Sequence, residues 1–94
     1  MTNEKILNLT FIDNESHGYL KVHKDTFLQF KLNGSEFSQC SYYQPKNNYF
    51  YLEEDCDAPK FIKIVAENGY KINFNDQNVN CNYFYNPSFY NLPA

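Results

Sequence analysis

Four carboxylates fall within five positions at Glu53, Glu54, Asp55 and Asp57, with Cys56 among them. Oxygen-rich clusters suit a hard cation, and calcium or magnesium is what such a set would hold. A calcium loop spaces its ligands around a turn that contains a glycine, and no glycine lies between Tyr49 and Phe61. The flanking residues favour a different reading. Tyr49-Phe50-Tyr51-Leu52 alternates as a strand does, while Ala58, Phe61, Ile62, Val65 and Ala66 recur at helical spacing before Asn68-Gly69. The cluster therefore reads as a strand-to-helix junction. Asp55 or Asp57 is expected to cap the helix, with the other carboxylates at its positive end, worth about 0.3–1 kcal/mol each. Charge left over there is available to a basic partner. Glu53 and Glu54, which precede the caps, are the leading recognition residues, with Asp57 beside them.

Cys40, Cys56 and Cys81, together with His17 and His23, invite a nucleophile-and-base reading. Their spacing forms no such motif. Cys56 sits at the helix start, which lowers a thiol pKa, but the neighbouring carboxylates oppose that shift, so the cysteines are expected to be buried and structural. Three is an odd number, and no apolar leader opens the printed sequence, so reduced thiols in a bacterial cytoplasm are expected. No metal-ligand pattern, phosphate loop or triad is present, and the expectation is a protein that is not an enzyme and needs no cofactor.

Tyr42, Tyr43, Tyr49 and Tyr51 fall on neighbouring strands, where exposed rings stack on bases. Stacking sites need cations, and only Lys46 is close in sequence. The chain holds nine tyrosines and nine phenylalanines, and with few aliphatics it needs these rings for its core. All eight basic residues are lysines and the net charge is -3. Without arginine forks, direct binding of duplex DNA is not expected, and the acidic surface is too sparse for a duplex mimic.

The elements that would position these residues follow from periodicity. Leu7, Leu9 and Phe11 alternate as a strand, and a polar turn then leads to a second at Tyr19–His23. Asp25–Gly34 fits a short helix capped by Asp25 and closed by Gly34, although Leu28, Phe30 and Leu32 also alternate before a hairpin-like Asn33-Gly34. Phe37–Gln44 and Tyr49–Glu54 read as antiparallel strands around a turn, and Tyr70–Asn75 as a strand after the second helix. The result is one domain of α+β class, a mainly antiparallel sheet with two helices on one face. Its β-α-β-β-α-β core, within residues 6–75, is joined by an N-terminal strand that extends the sheet or meets a partner. Residues 76–94 form an asparagine- and aromatic-rich tail that wraps its own sheet or docks elsewhere. Tyr83–Tyr85 could add an edge strand, and Tyr83, Tyr85 and Tyr90 are the candidate anchors for a partner. No apolar run spans a membrane.

The segments His17-Gly18-Tyr19-Leu20-Lys21-Val22, Ser41-Tyr42-Tyr43-Gln44 and Tyr51-Leu52-Glu53-Glu54-Asp55-Cys56-Asp57-Ala58 resemble a small domain of unknown function that recurs in proteins of phages, plasmids and other mobile elements. The resemblance covers roughly residues 17 to 68 and rests chiefly on the third motif. Adjacent tyrosines at 42 and 43, where a small residue often separates the aromatics, depart from it, as do the N-terminal strand and the tail. The resemblance implies a mobile-element setting, in which small proteins without enzymatic motifs often inhibit host defence. The leading expectation is thus an anti-CRISPR-like inhibitor that binds a bacterial defence protein or nucleoprotein complex through an acidic and aromatic surface. A module that sequesters a signalling nucleotide, or an accessory structural domain, is the alternative. Free strand edges leave a homodimer open.

Overall fold

The chain begins with β1 (Lys5–Asp13) and β2 (Gly18–His23), followed by α1 (Lys24–Gln29), β3 (Tyr42–Gln44) and β4 (Tyr49–Glu53). Then come α2 (Ala58–Glu67), β5 (Tyr70–Asn78), a 3-10 turn at Tyr83–Tyr85 and β6 (Tyr90–Asn91). The computed structural model describes residues 4–92. One sheet holds all six strands in the order β5-β1-β2-β4-β3-β6. Its pairings are antiparallel except for the parallel match of β1 with β5.

The expected α+β class is correct, and the units β2-α1-β3 and β4-α2-β5 each return to a parallel strand with other strands between them. The N-terminal strand takes an interior place, between β5 and β2, instead of lengthening an edge. Its side chains explain this. Leu9 enters the core under the helices while Ile12 is buried on the opposite face, so the strand needs cover on both sides.

On the helix face, Leu9, Leu20, Val22, Phe50 and Leu52 meet Phe27 of α1 and Ala58, Phe61 and Val65 of α2. Phe27 is central: its ring stacks on Phe50 at 4.0 Å and lies 5.4 Å from Phe37 and 5.7 Å from Phe61. Burying such a ring contributes about 2–3 kcal/mol. Gly18 has no room for a side chain, because a Cβ there would collide with the Phe11 ring.

Several boundaries move. The cap of α1 is His23, whose Nδ1 accepts from the Asp25 amide at 3.0 Å; Asp25 itself lies inside the first turn. Gly34 does not close that helix. It adopts φ +99° beneath Phe50, where a Cβ would lie 2.9 Å from the ring. Residues 37–41 are a loop, so β3 is shorter than the aromatic alternation suggests.

The tail wraps its own sheet. Ile12, Tyr19 and Tyr51 point away from the helices and are covered by Phe84, with Tyr83, Phe89 and Val79 around them. Tyr83–Tyr85 is therefore a 3-10 turn that caps a second aromatic core, and the edge strand is formed by Tyr90–Asn91 against Tyr42 and Tyr43. Leu92 then returns to the helix-face core.

Candidate functional site

Strands β1 and β4 end, and β2 and β3 begin, at the same end of the sheet. This brings together the β1–β2 turn, the loop before β3, the β4–α2 junction and the start of the arm. The turn is built by short side chains: Asp13 accepts from the Glu15 amide, and Asn14 accepts from the amides of Ser16 and His17. It is fastened to the junction at Gly18, whose amide donates to Glu54 Oε1 at 3.1 Å while the Glu54 amide donates to the Gly18 carbonyl at 2.9 Å.

The four carboxylates divide sharply. Glu53 is only 7% exposed, and its Oε2 accepts from the amides of Asp55 (3.0 Å) and Cys56 (2.9 Å). Asp57 is 4% exposed and accepts from the Ser38 amide, the Ser38 hydroxyl and the Ser41 hydroxyl. Both are internal fasteners, so the expected recognition roles of Glu53 and Asp57 are corrected: their oxygens satisfy backbone and serine donors that would otherwise be stranded. Asp57 stands at the N-cap position of α2 but makes no side-chain cap bond, and Pro59 supplies the helix-compatible start. Glu54 and Asp55 remain exposed.

Exposed Asp13 and Glu15 adjoin them through the fastened turn. None of the eight lysines falls in residues 13–18, 38–41, 53–57 or 79–92, so every loop at this end is free of compensating cations. Lys5 and Lys71 start β1 and β5, and Lys24 and Lys46 follow β2 and β3 at the far end. Glu4, paired with Lys71 at 2.8 Å, and Asp25 share that far end, so the net negative charge is concentrated at the carboxylate end.

Two adjoining hollows open beside the carboxylates and share His17 and Tyr19. One, of about 350 Å³, runs between Cys40, Glu53, Asp55 and Cys56; the other, of about 460 Å³, reaches Tyr42, Phe84 and Tyr85. Tyr85 is 79% exposed at its rim, whereas Tyr83 packs into the second core. Tyr90 is 58% exposed, but it pairs with Tyr43, which packs against the helix-face core, so it stands on the other side of the sheet. Glu54, Asp55 and Tyr85 are thus brought to one surface, and Tyr83 and Tyr90 are not. His17 and Tyr19 had only a turn-and-strand signal in sequence; the loops that converge on them are remote along the chain.

Burial, with negative groups at Tyr42, Glu53 and Cys40 nearby, pushes the Tyr19 phenol up to about 12. Tyr51 is raised further, mainly by burial. The four sheet tyrosines are engaged within the molecule. Tyr42 stacks on Phe84 at 4.7 Å, Tyr43 on Phe50 at 4.5 Å, Tyr51 is buried, and Lys21 Nζ lies 4.4 Å from the Tyr49 ring centre.

All three cysteines are exposed, in contrast to the buried thiols expected. Cys56 donates to Cys40 across 3.3 Å, and that bond, followed by the bond to Glu53, pushes its thiol up to about 12. Among the described residues, no group of three or more His, Cys, Asp or Glu could hold a metal ion, and no helix is long and apolar enough to cross a membrane. No family model matches the sequence, and neither a curated protein nor a solved structure matches the chain.

Proposed function

We propose that this protein is a non-enzymatic binding module that holds a basic segment of a partner protein at the acidic end of its sheet. The partner in this reading is a component of a bacterial defence complex, and the module is its inhibitor in a phage or mobile-element setting. The observation that carries the binding mode is the placement of exposed Glu54 and Asp55, with Asp13 and Glu15, around a groove lined by His17, Tyr19 and Tyr85, with no lysine in any of the surrounding loops. Such a field attracts cationic side chains and speeds encounter, while a projecting tyrosine supplies an anchor with little conformational entropy to lose. The defence setting is drawn from the resemblance over residues 17–68. Defence nucleases expose lysine- and arginine-lined channels, the kind of surface that such an end would occupy. A second copy would find the open outer edge of β5, beside exposed Phe74 and Ile62.

The test uses variants that spare the internal fasteners. Tagged wild-type protein and an E15K/D55K variant, changed at exposed carboxylates that make no internal hydrogen bond among the described residues, are compared in affinity capture from host cells, with the captured subunit then titrated in pure form. A defence-complex subunit bound by the wild type and at least about tenfold more weakly by the variant, a difference of about 1.4 kcal/mol, supports the reading. Equal binding by both, or capture of no such subunit, overturns it.

A further inference from the structure

Cys40 and Cys56 lie in different loops, one before β3 and the other between β4 and α2, yet their sulfurs are 3.3 Å apart and both residues are exposed. The backbone on either side is fastened. Asp57, next to Cys56, binds Ser38 and Ser41, which bracket Cys40. The Cys40 amide donates to the Ser38 hydroxyl, the Cys56 amide donates to Glu53, and the Ser41 hydroxyl accepts from the Glu53 amide. Neither cysteine can drift from the other without breaking bonds of this set, of which those from the Ser41 hydroxyl to Asp57 and from the Glu53 amide to Ser41 are buried. A disulfide has its sulfurs at about 2.05 Å, so from 3.3 Å the two sulfurs need to approach by little more than about 1 Å.

We propose that Cys40 and Cys56 are a reversible redox site, oxidised to a disulfide by exchange with a low-molecular-weight disulfide. The hollow beside them, about 350 Å³ and open to solvent, admits such a molecule. The Cys40 sulfur receives the hydrogen bond, and Cys56 holds its proton. Cys40, reacting as its thiolate, attacks one sulfur of the small disulfide, breaks its S–S bond and expels a small thiolate. Cys56 then gives up its proton to that thiolate and attacks the Cys40 sulfur, expelling the second small thiolate. The two protein sulfurs lose two electrons, and the small disulfide gains them and leaves as two thiols. Glu53, Glu54 and Asp55 around the site favour a cationic reagent over an anionic one. Cys81 lines the adjoining hollow and, among the described residues, meets the Asn82 side chain and no second sulfur, so it would stop at a mixed disulfide. The pair lines one of the two hollows of the proposed partner groove, but its oxidation is read on the free protein and does not rest on that binding reading.

The test treats a C81S protein with cystamine, a cationic disulfide, and reads intact mass and tryptic peptides. The expected product has lost two hydrogens, carries no adduct and joins the peptide spanning residues 32–46 to that spanning 47–60. Its thermal midpoint rises by about 10 °C, reversed by dithiothreitol, and glutathione disulfide, which is anionic, reacts at least about fivefold more slowly. A product carrying two adducts, or two thiols still open to alkylation after Cys81 of the wild type has reacted, overturns the proposal. C40S/C81S and C56S/C81S proteins, each left with one cysteine at an exposed position, must instead stop at a single cystamine adduct.

Discussion

Asp57 shows how one side chain can serve the fold while looking like a binding residue. Its carboxylate answers a backbone amide and two hydroxyls from a loop 16 to 19 residues away, and removing it strands those donors in a buried place. Asp57→Ala is expected to cost about 2–4 kcal/mol in urea unfolding, against under about 1 kcal/mol for Asp55→Ala at an exposed position two residues earlier. Buried phenols set a second residue-scale effect. Tyr19 and Tyr51 titrate near 10.0 when free and higher in the fold. As pH rises through 10, the unfolded chain releases these protons while the folded one keeps them, so stability is full below that value and is lost toward 12. Urea midpoints should fall between pH 10 and pH 12, and fall less in a Y51F protein than in wild type.

At the scale of elements, the arm after β5 matters most. Its 3-10 turn places Phe84 against Tyr19 at 4.3 Å, Tyr42 at 4.7 Å and Tyr51 at 5.4 Å, closing the face that the helices leave open. Phe84→Ala is expected to destabilise the domain by about 3 kcal/mol. Tyr85→Ala, one position on, should change stability by less than about 0.5 kcal/mol and weaken partner binding instead. Chemical denaturation and titration of the two variants in parallel separate these roles. Much of the element pattern was legible beforehand: α2 from its apolar spacing, β5 from its alternation, and the strand-to-helix junction from the change of period at Glu53. The arm was not, because Asn-rich sequence with Pro87 carries no regular period, and whether its rings turn inward depends on a sheet face that forms from distant strands. The short span of β3 was equally hidden, since Phe37 alternates with Tyr43 in sequence but belongs to a loop that dips into the helix-face core.

Across the whole molecule, charge is sorted by strand direction. Asp13, Glu15, Glu54 and Asp55 gather where β1 and β4 end, while Lys5, Lys24, Lys46 and Lys71 lie at the opposite end, partly offset there by Glu4 and Asp25. For the proposed basic partner, such a dipole acts chiefly on the rate of encounter. The association rate should drop at least about tenfold between 50 and 500 mM salt, with a much smaller change in dissociation, and stopped-flow measurement reads both. The expected acidic surface was visible as a run of letters, but two of its four carboxylates turned inward. Burial is decided by which loops fold over a residue, and Ser38 and Ser41 gave no sign in sequence that they would cover Asp57.

By itself, the sequence determined the α+β class, the strand-to-helix junction and the reliance on aromatic rings, because periodicity and composition act locally. Tertiary structure alone decided which carboxylates remain free, that the tail becomes a second core, and that Cys40 meets Cys56. Each of those outcomes depends on residues far apart in the chain arriving at one end of a sheet, and strand pairing, not local preference, sets that meeting.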